Sequence, residues 1–180
     1  MKDELTLSLV KDHDVILKAA DRLEQRVAEW RHVGRIESAE SLRIFITFSK
    51  MFTDRCHHSK EERCLFPCLE QRGIPREGGP IGVMLHEHEL GRQLVIRLEK
   101  SVETYLAAGK GFEDVLSICE DYINLIRQHI LKENHILFPM GERVASEEDW
   151  VETSGCYEEI ELREMGEQEH HKLERLSGKI

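Results

Sequence analysis

The chain has 180 residues, enough for one domain with an apolar core, and its 40% hydrophobic and 33% charged residues favour a soluble, helix-rich protein. The formal net charge of -10 argues against a nucleic-acid partner, because phosphate backbones are bound by clustered lysines and arginines. Residues 1–5 are too acidic for a signal peptide, and no apolar run approaches the roughly twenty residues of a membrane span. These features predict a cytoplasmic protein with neither a nucleic-acid nor a membrane partner.

Four apolar series at helical spacing follow one another along the chain. The first should end at Gly34, and the second continues to a break over residues 73–80. The third begins with Pro80 and ends near Gly109, and the fourth is expected to close at residues 139–141. Four long amphipathic helices with short connections predict an all-α fold, an up-down-up-down four-helix bundle.

An acid-rich segment with scattered apolar residues begins at Ser146. Its apolar residues include Val151, Tyr157, Ile160 and Leu162, which predict one extra helix lying against the bundle. We therefore expect the bundle in residues 1–145 and a C-terminal helical extension packed on it in residues 146–180.

The five cysteines are an odd number, and four of them fall in predicted helices. This distribution favours reduced thiols over a disulfide framework. Cys64 and Cys68 share a helix face, but such cysteines are more often small core residues than metal ligands or oxidant sensors.

The second and fourth helices contain the same motif: HHSKEERCLFP starts at His57, and HILKENHILFP starts at His129. In each copy a glutamate follows four residues after the first histidine, at Glu61 and Glu133, and LFP begins four residues later. A four-residue step on a helix overshoots a full turn by about 40° and rises about 6 Å, so each histidine and its glutamate point to one place. Carboxylates can bridge two cations that imidazoles cap, and this donor set suits iron, manganese or zinc rather than calcium.

The first and third helices are each expected to add one ligand. His13 lies in the middle of its helix's apolar stripe, although a lone histidine there is more often a core residue. His86 and His88 differ by about 200° of rotation, so at most one of them can face the core. The apolar residues of this helix favour His88 and leave His86 as the weaker candidate.

On the second helix the apolar periodicity and the internal repeat disagree. The mean apolar direction lies nearer His58 and Glu62, whereas the repeat selects His57 and Glu61. We follow the repeat, because its copy on the fourth helix is flanked by apolar residues, and we keep His58 and Glu62 as the alternative pair.

Any one of these predicted ligands, taken alone, could be an ordinary surface side chain in contact with water. Burying four imidazoles and two carboxylates without a cation, however, would cost on the order of several kcal/mol for each unpaired ionised group.

The repeated motif resembles the hemerythrin-like (HHE cation-binding) family, and the resemblance covers roughly residues 7–140. The stretches GPIGVM and EHE in residues 79–89 are similar to the C-terminal domain of bacterial di-iron proteins that repair iron centres. This resemblance implies two iron ions with an oxo or hydroxo bridge, zinc or manganese being alternatives after heterologous expression. The implied terminal ligands are His13, His57, His88 and His129, and the implied bridges are Glu61 and Glu133.

Two departures from that family bear on function. Oxygen-carrying hemerythrins have one more histidine on the third helix, where this chain has Met84 and Arg92. We expect the cysteine-containing N-terminal domain common in the repair proteins to be missing here, and this expectation weakens any direct transfer of the repair role.

These residues predict a non-haem di-iron protein that binds or reacts with O2, NO or peroxide as a sensor, scavenger or carrier. The alternatives are an iron store or donor for the repair of iron centres, and a structural metal-binding module that binds a partner. A nucleophile mechanism has no support, because the sequence contains neither a Gly-rich elbow nor a phosphate loop. A homodimer is compatible with the sequence.

Overall fold

The computed structural model describes residues 6–180, apart from the side chains of residues 167–170, and every element in this range is helical. The acidic residues 1–5 lie outside the described residues. The all-α bundle with additional C-terminal helix is confirmed. None of the described helices is both long and apolar enough to cross a membrane. The helices are α1 (Leu7–Val33), α2 (Ala39–Phe48), α3 (Phe66–Gln71), α4 (Pro80–Ala108), α5 (Phe112–Lys132), α6 (Phe138–Val144), α7 (Glu147–Glu164) and α8 (Glu167–Ser177).

Two of the four bundle helices contain π-helical segments. Ser49–His58 and Glu61–Leu65 connect α2 to α3, and Glu133–Leu137 connects α5 to α6. The second helix of the bundle therefore runs from α2 through α3, and the fourth from α5 through α6. Helix α1 packs on α5, α5 on α4, and α4 on α2. Such π-helical turns, with i→i+5 hydrogen bonds, are rare and often occur at functional sites.

Most of the helix ends agree with the sequence prediction. Gly34 and Gly109 end α1 and α4 in the left-handed conformation, at φ 76° and φ 65°, which costs glycine nothing because it lacks a Cβ. The predicted end of the fourth helix is wrong, since α6 continues to Val144. Pro139 is tolerated because it lies in the first turn of α6, directly after a π-helical segment, where its missing N–H removes no regular helical hydrogen bond.

The apolar core consists of two clusters. One contains Leu23, Phe45 and most of the buried side chains of α5, and the other contains Leu9, Phe66 and Phe138. Along every bundle helix at least one buried histidine falls between residues of the two clusters. The apolar core therefore surrounds a polar layer and shields it from water.

The segment after Ser146 forms two helices, α7 and α8, where the sequence predicted one. Tyr157 and Ile160 are buried in the second apolar cluster, whereas Val151 and Leu162 are 63% and 69% exposed. The apolar residues of α7 are spread around the helix, so one face can bury only part of them.

Cys64 and Cys156 form a disulfide that joins the segment Glu61–Leu65 to α7. For these two residues the prediction of reduced thiols is wrong, while Cys56, Cys68 and Cys119 are free. The partners are 92 residues apart in sequence, so their pairing depends on how α7 packs, which spacing does not reveal.

Replacing Cys156 with serine is expected to lower the free energy of unfolding by about 2–4 kcal/mol in non-reducing buffer, because the cross-link restricts the unfolded chain. Urea denaturation with and without dithiothreitol measures the difference. Cys68→Ser, at a free thiol, is the control. If the variant and the parent protein differed in unfolding free energy as much in reducing buffer as in non-reducing buffer, the loss of stability could not come from the disulfide.

Candidate metal centre

Six polar side chains from all four bundle helices meet between the two apolar clusters. Each of them is at most 2% exposed. They are His13 from α1, His57 and Glu61 from the second helix, His88 from α4, and His129 and Glu133 from the fourth helix. The structure thus brings together the six residues that the sequence selected.

The four histidines form two pairs of nearly identical geometry. The Nε2 atoms of His13 and His57 are 3.1 Å apart, and so are those of His88 and His129. The ring centroids are 4.7 and 4.8 Å apart, with interplanar angles of 66° and 64°. Two nitrogens that each lie about 2.1 Å from one cation, in octahedral or tetrahedral coordination, are about 3.0 to 3.4 Å apart. Each pair is therefore spaced to hold one cation.

The two carboxylates lie between the pairs. Glu61 places Oε1 at 3.5 Å from the Nε2 atom of His57 and Oε2 at 3.3 Å from that of His88. Glu133 places Oε2 at 3.2 and 3.3 Å from the Nε2 atoms of the other two histidines. Each carboxylate contacts both histidine pairs, as a carboxylate that bridges two cations must.

Each of the four histidines has an oxygen facing its Nδ1 atom. The contacts are His13 to Asn134 Oδ1 (2.8 Å), His57 to Asp12 Oδ2 (3.3 Å), His88 to Glu62 Oε1 (2.8 Å) and His129 to Glu87 Oε2 (3.0 Å). Such oxygens fix the tautomer in which Nδ1 donates its hydrogen and Nε2 keeps its lone pair. Four nitrogen lone pairs consequently point at the carboxylate oxygens.

This arrangement fits cations and little else. Among the described residues, none donates a hydrogen bond of normal geometry to the carboxylate oxygens of Glu61 or Glu133. Burial raises the pKa of Glu61 well above its usual value, and the charge of Glu133 raises it further. Burial also lowers the pKa of His57 to about 4. A cation between the lone pairs would remove the repulsion among them, and the mixed nitrogen and oxygen donors suit iron, manganese or zinc.

Two of the weaker candidates lie outside the centre. His86 is exposed on α4. Glu62 is half-buried, and its Oε1 accepts hydrogen bonds from Nδ1 of His88 and from the Arg92 guanidinium at 2.6 Å. Glu62 therefore orients a histidine of the centre.

His58 is buried and close to the centre but differs from the four paired histidines. One donor atom of His58 lies within 4.8 Å of those of Glu61, His88 and His129. Its ring, however, is stacked face to face on the ring of His88, with centroids 3.8 Å apart and an interplanar angle of 15°. Two parallel stacked rings cannot both aim their in-plane lone pairs at one cation, so we separate His58 from the set of paired ligands.

The π-helical segment Ser49–His58 explains why the sequence prediction was ambiguous here. Extrapolating a 3.6-residue period through ten residues of wider turns rotates the apparent apolar face away from its true direction. As a result both His57 and His58 are buried.

Sequence reasoning missed three of the residues that orient the histidines and gave the fourth, Glu62, the role of an alternative ligand. Asp12, Glu62, Glu87 and Asn134 each neighbour a residue of the centre in sequence and contact a histidine on another helix. A polar residue beside each predicted ligand was the available signal. Lys60, only 2% exposed, adds a link to the C-terminal segment by pairing with Asp12 at 3.2 Å and Glu161 at 2.9 Å.

A cavity of about 270 Å3 lies beside the second histidine pair. His88 and His129 line it together with His58, and Val95, Ile126 and other apolar side chains form much of the remaining wall. A small molecule in this cavity would lie next to the imidazoles that hold one of the cations.

A helical bundle that buries two carboxylates between two pairs of histidines is typical of a cation-binding protein. Residues 5–141 match the family described as Hemerythrin HHE cation binding domain. The chain belongs to this family, and the resemblance found in the sequence is confirmed.

Curated relatives are iron-sulfur cluster repair proteins. The chain is 38% identical to YtfE of Edwardsiella ictaluri (strain 93-146) over 86 residues, covering 46% of this chain and 39% of that protein. It is 38% identical to YtfE of Dickeya chrysanthemi (strain Ech1591) over 90 residues, covering 48% and 41%. For DnrN of Neisseria gonorrhoeae the values are 35% over 86 residues, covering 46% and 54%. The chain thus spans about half the length of these relatives or less, and no solved structure matches it.

Proposed function

We propose that the chain is a non-haem di-iron protein that stores and donates iron for the repair of iron-sulfur clusters. The proposal depends on one observation: two histidine pairs of the same geometry are joined by two buried carboxylates. Support for the repair role comes from the names of the relatives and from membership in a cation-binding family. The role is consistent with the cytoplasmic location predicted from the sequence.

In this proposal the irons supply a reservoir of metal and a one-electron redox couple. His13 and His57 would hold one ion and His88 and His129 the other, and Glu61 and Glu133 would supply carboxylate oxygens to both. The oxygens at the Nδ1 atoms keep the imidazoles in the metal-binding tautomer. The apolar clusters on both sides exclude bulk water from the carboxylates.

Iron donation can be tested with protein loaded with 57Fe and mixed with an apo-ferredoxin, a cysteine desulfurase and cysteine. We expect the label to appear in the ferredoxin cluster, measured by Mössbauer spectroscopy after separation of the proteins. The control is the same mixture with an equal amount of 57Fe held by citrate. Retention of the label by this chain, with no labelled cluster formed, would contradict the donor role.

A second function is favoured by the cavity beside His88 and His129. In this case the chain senses or scavenges O2, NO or peroxide, and the cavity admits the small molecule to the centre. The two functions are compatible, because a damaged cluster and its oxidant occur together.

A further inference from the structure

We propose that the two cation positions release their ions at different rates, because Lys60 ties the first histidine pair, His13 and His57, to helix α7. The ion at the second pair, His88 and His129, is then the first to leave. This inference rests on the two-cation centre of the proposed function, and it adds which of the two ions the chain gives up.

Both copies of the repeated motif contain a lysine directly before the glutamate, three residues after the histidine. In each copy this lysine donates to a carboxylate on another helix, and the same carboxylate accepts the Nδ1 hydrogen of the motif's own histidine. The two series of contacts are Lys60 to Asp12 to His57, and Lys132 to Glu87 to His129. The lysines are therefore positioning residues, since each holds the acid that orients a predicted ligand.

The two lysines differ in their exposure to water. The side chain of Lys60 is 2% exposed and that of Asp12 is 8% exposed, whereas the side chain of Lys132 is 33% exposed. Water competes for the hydrogen bonds of an exposed lysine and screens its charge, so such an ion pair contributes about 1 kcal/mol or less. Breaking the buried pair would instead leave two charges uncompensated inside the protein. We therefore expect His57 to be held in its ligand position more firmly than His129.

The other histidine of each pair follows the same division. Nδ1 of His88 faces Glu62, and Glu62 is held by Arg92, whose side chain is 31% exposed. Nδ1 of His13 faces the amide oxygen of Asn134 at 2.8 Å, and a neutral amide needs no cation beside it. The orientation of the second pair thus depends on partly exposed ion pairs, whereas that of the first pair does not.

Helix α7 supplies a second acid to Lys60. Oε2 of Glu161 lies 2.9 Å from Nζ of Lys60. Helix α7 is attached to the same part of the second helix by the disulfide between Cys156 and Cys64, and by Glu164, which pairs with two exposed arginines. These attachments keep Glu161 beside the buried lysine, so the C-terminal extension stabilises one half of the centre.

Removal of zinc by a chelator tests the inequality of the two positions. In the zinc-loaded protein, an excess of chelator should remove the two ions in two phases, the second about tenfold slower than the first. In 15N NMR spectra of protein with labelled histidines, the resonances of His88 and His129 should change with the fast phase and those of His13 and His57 with the slow phase. Zinc is diamagnetic, and the result does not depend on whether the chain donates iron.

The variant that tests the role of α7 is Glu161→Gln, which removes the charge beside Lys60 and keeps an oxygen that can accept a hydrogen bond. We expect the slow phase to become about fivefold faster and the fast phase to stay within about twofold. The matched control is Glu164→Gln on the same helix, because Glu164 pairs with the exposed Arg55 and Arg63 instead. Both phases should stay within about twofold in the control.

The fourth helix offers the complementary variant. Lys132→Gln should accelerate the fast phase and leave the slow phase unchanged, because Lys132 acts on His129 through Glu87. A merely structural role of either lysine would not select one phase and one pair of histidine resonances.

Release of both zinc ions from the parent protein in a single phase would overturn the proposal while leaving the two-cation centre intact. Equal acceleration of both phases in Glu161→Gln would overturn it as well, and so would the same acceleration of the slow phase in Glu164→Gln, which would indicate a general loosening of α7. Fewer than two zinc ions per chain would contradict the centre itself, and the inference with it.

Discussion

Glu133→Ala is expected to reduce the metal content from about two ions per chain to one or fewer. The Glu133 carboxylate contacts Nε2 atoms of both histidine pairs, at 3.2 and 3.3 Å, so its removal takes an anionic ligand from both ions at once. Glu61 would then be the one carboxylate of the six predicted ligands left to balance two buried cations. Elemental analysis after loading with iron measures the change.

The matched control for this variant is His135→Ala. His135 lies two residues further along the same helix and is exposed, so its removal should leave the metal content unchanged. Equal losses in the two variants would mean that metal retention depends on the stability of the fourth helix and not on a bridging carboxylate.

The second large effect concerns the register of the second helix. Glu61→Ala should lower the metal content in the same way as Glu133→Ala, because Glu61 contacts one histidine of each pair. Glu62→Ala should keep two ions per chain at saturating iron but weaken their binding by roughly 10- to 100-fold, because Glu62 only orients His88. Metal content at saturation, followed by competition with a chelator, distinguishes the two outcomes.

The comparison of these two variants also tests the alternative pair of His58 and Glu62. If the Glu62 variant lost its metal at saturation while the Glu61 variant kept two ions, the ligands would be the alternative pair. The internal repeat would then be a false guide to the second helix.

The sequence predicted the parts of the structure that depend on local pattern. Helix ends at Gly34 and Gly109 follow from the freedom of glycine to adopt positive φ, and the start of α4 follows from the fixed φ of Pro80. In both copies of the His-x-x-x-Glu motif the structure buries the histidine beside its glutamate, at 3.5 Å for His57 and Glu61 and at 3.3 Å for His129 and Glu133. The predictions of the helix ends succeeded because each needs only the geometry of one helix.

The missed features depend on contacts between helices or on a change of helix type. The π-helical segment Ser49–His58 shifts the facing of His57 and His58, and a fixed helical period cannot follow such a shift. Asp12 and Glu87 orient histidines on other helices, so their roles require the packed bundle. The disulfide depends on the position of α7 in the same way.

The most direct test of the account is the iron content of protein expressed with added iron, together with its Mössbauer spectrum as isolated and after reduction with dithionite. We expect about two irons per chain, in a spin-coupled pair of high-spin ions with nitrogen and oxygen ligands. One zinc per chain, or no metal in a protein that keeps its helical fold and its thermal stability, would contradict the di-iron centre. The four paired histidines would then be part of a structural module.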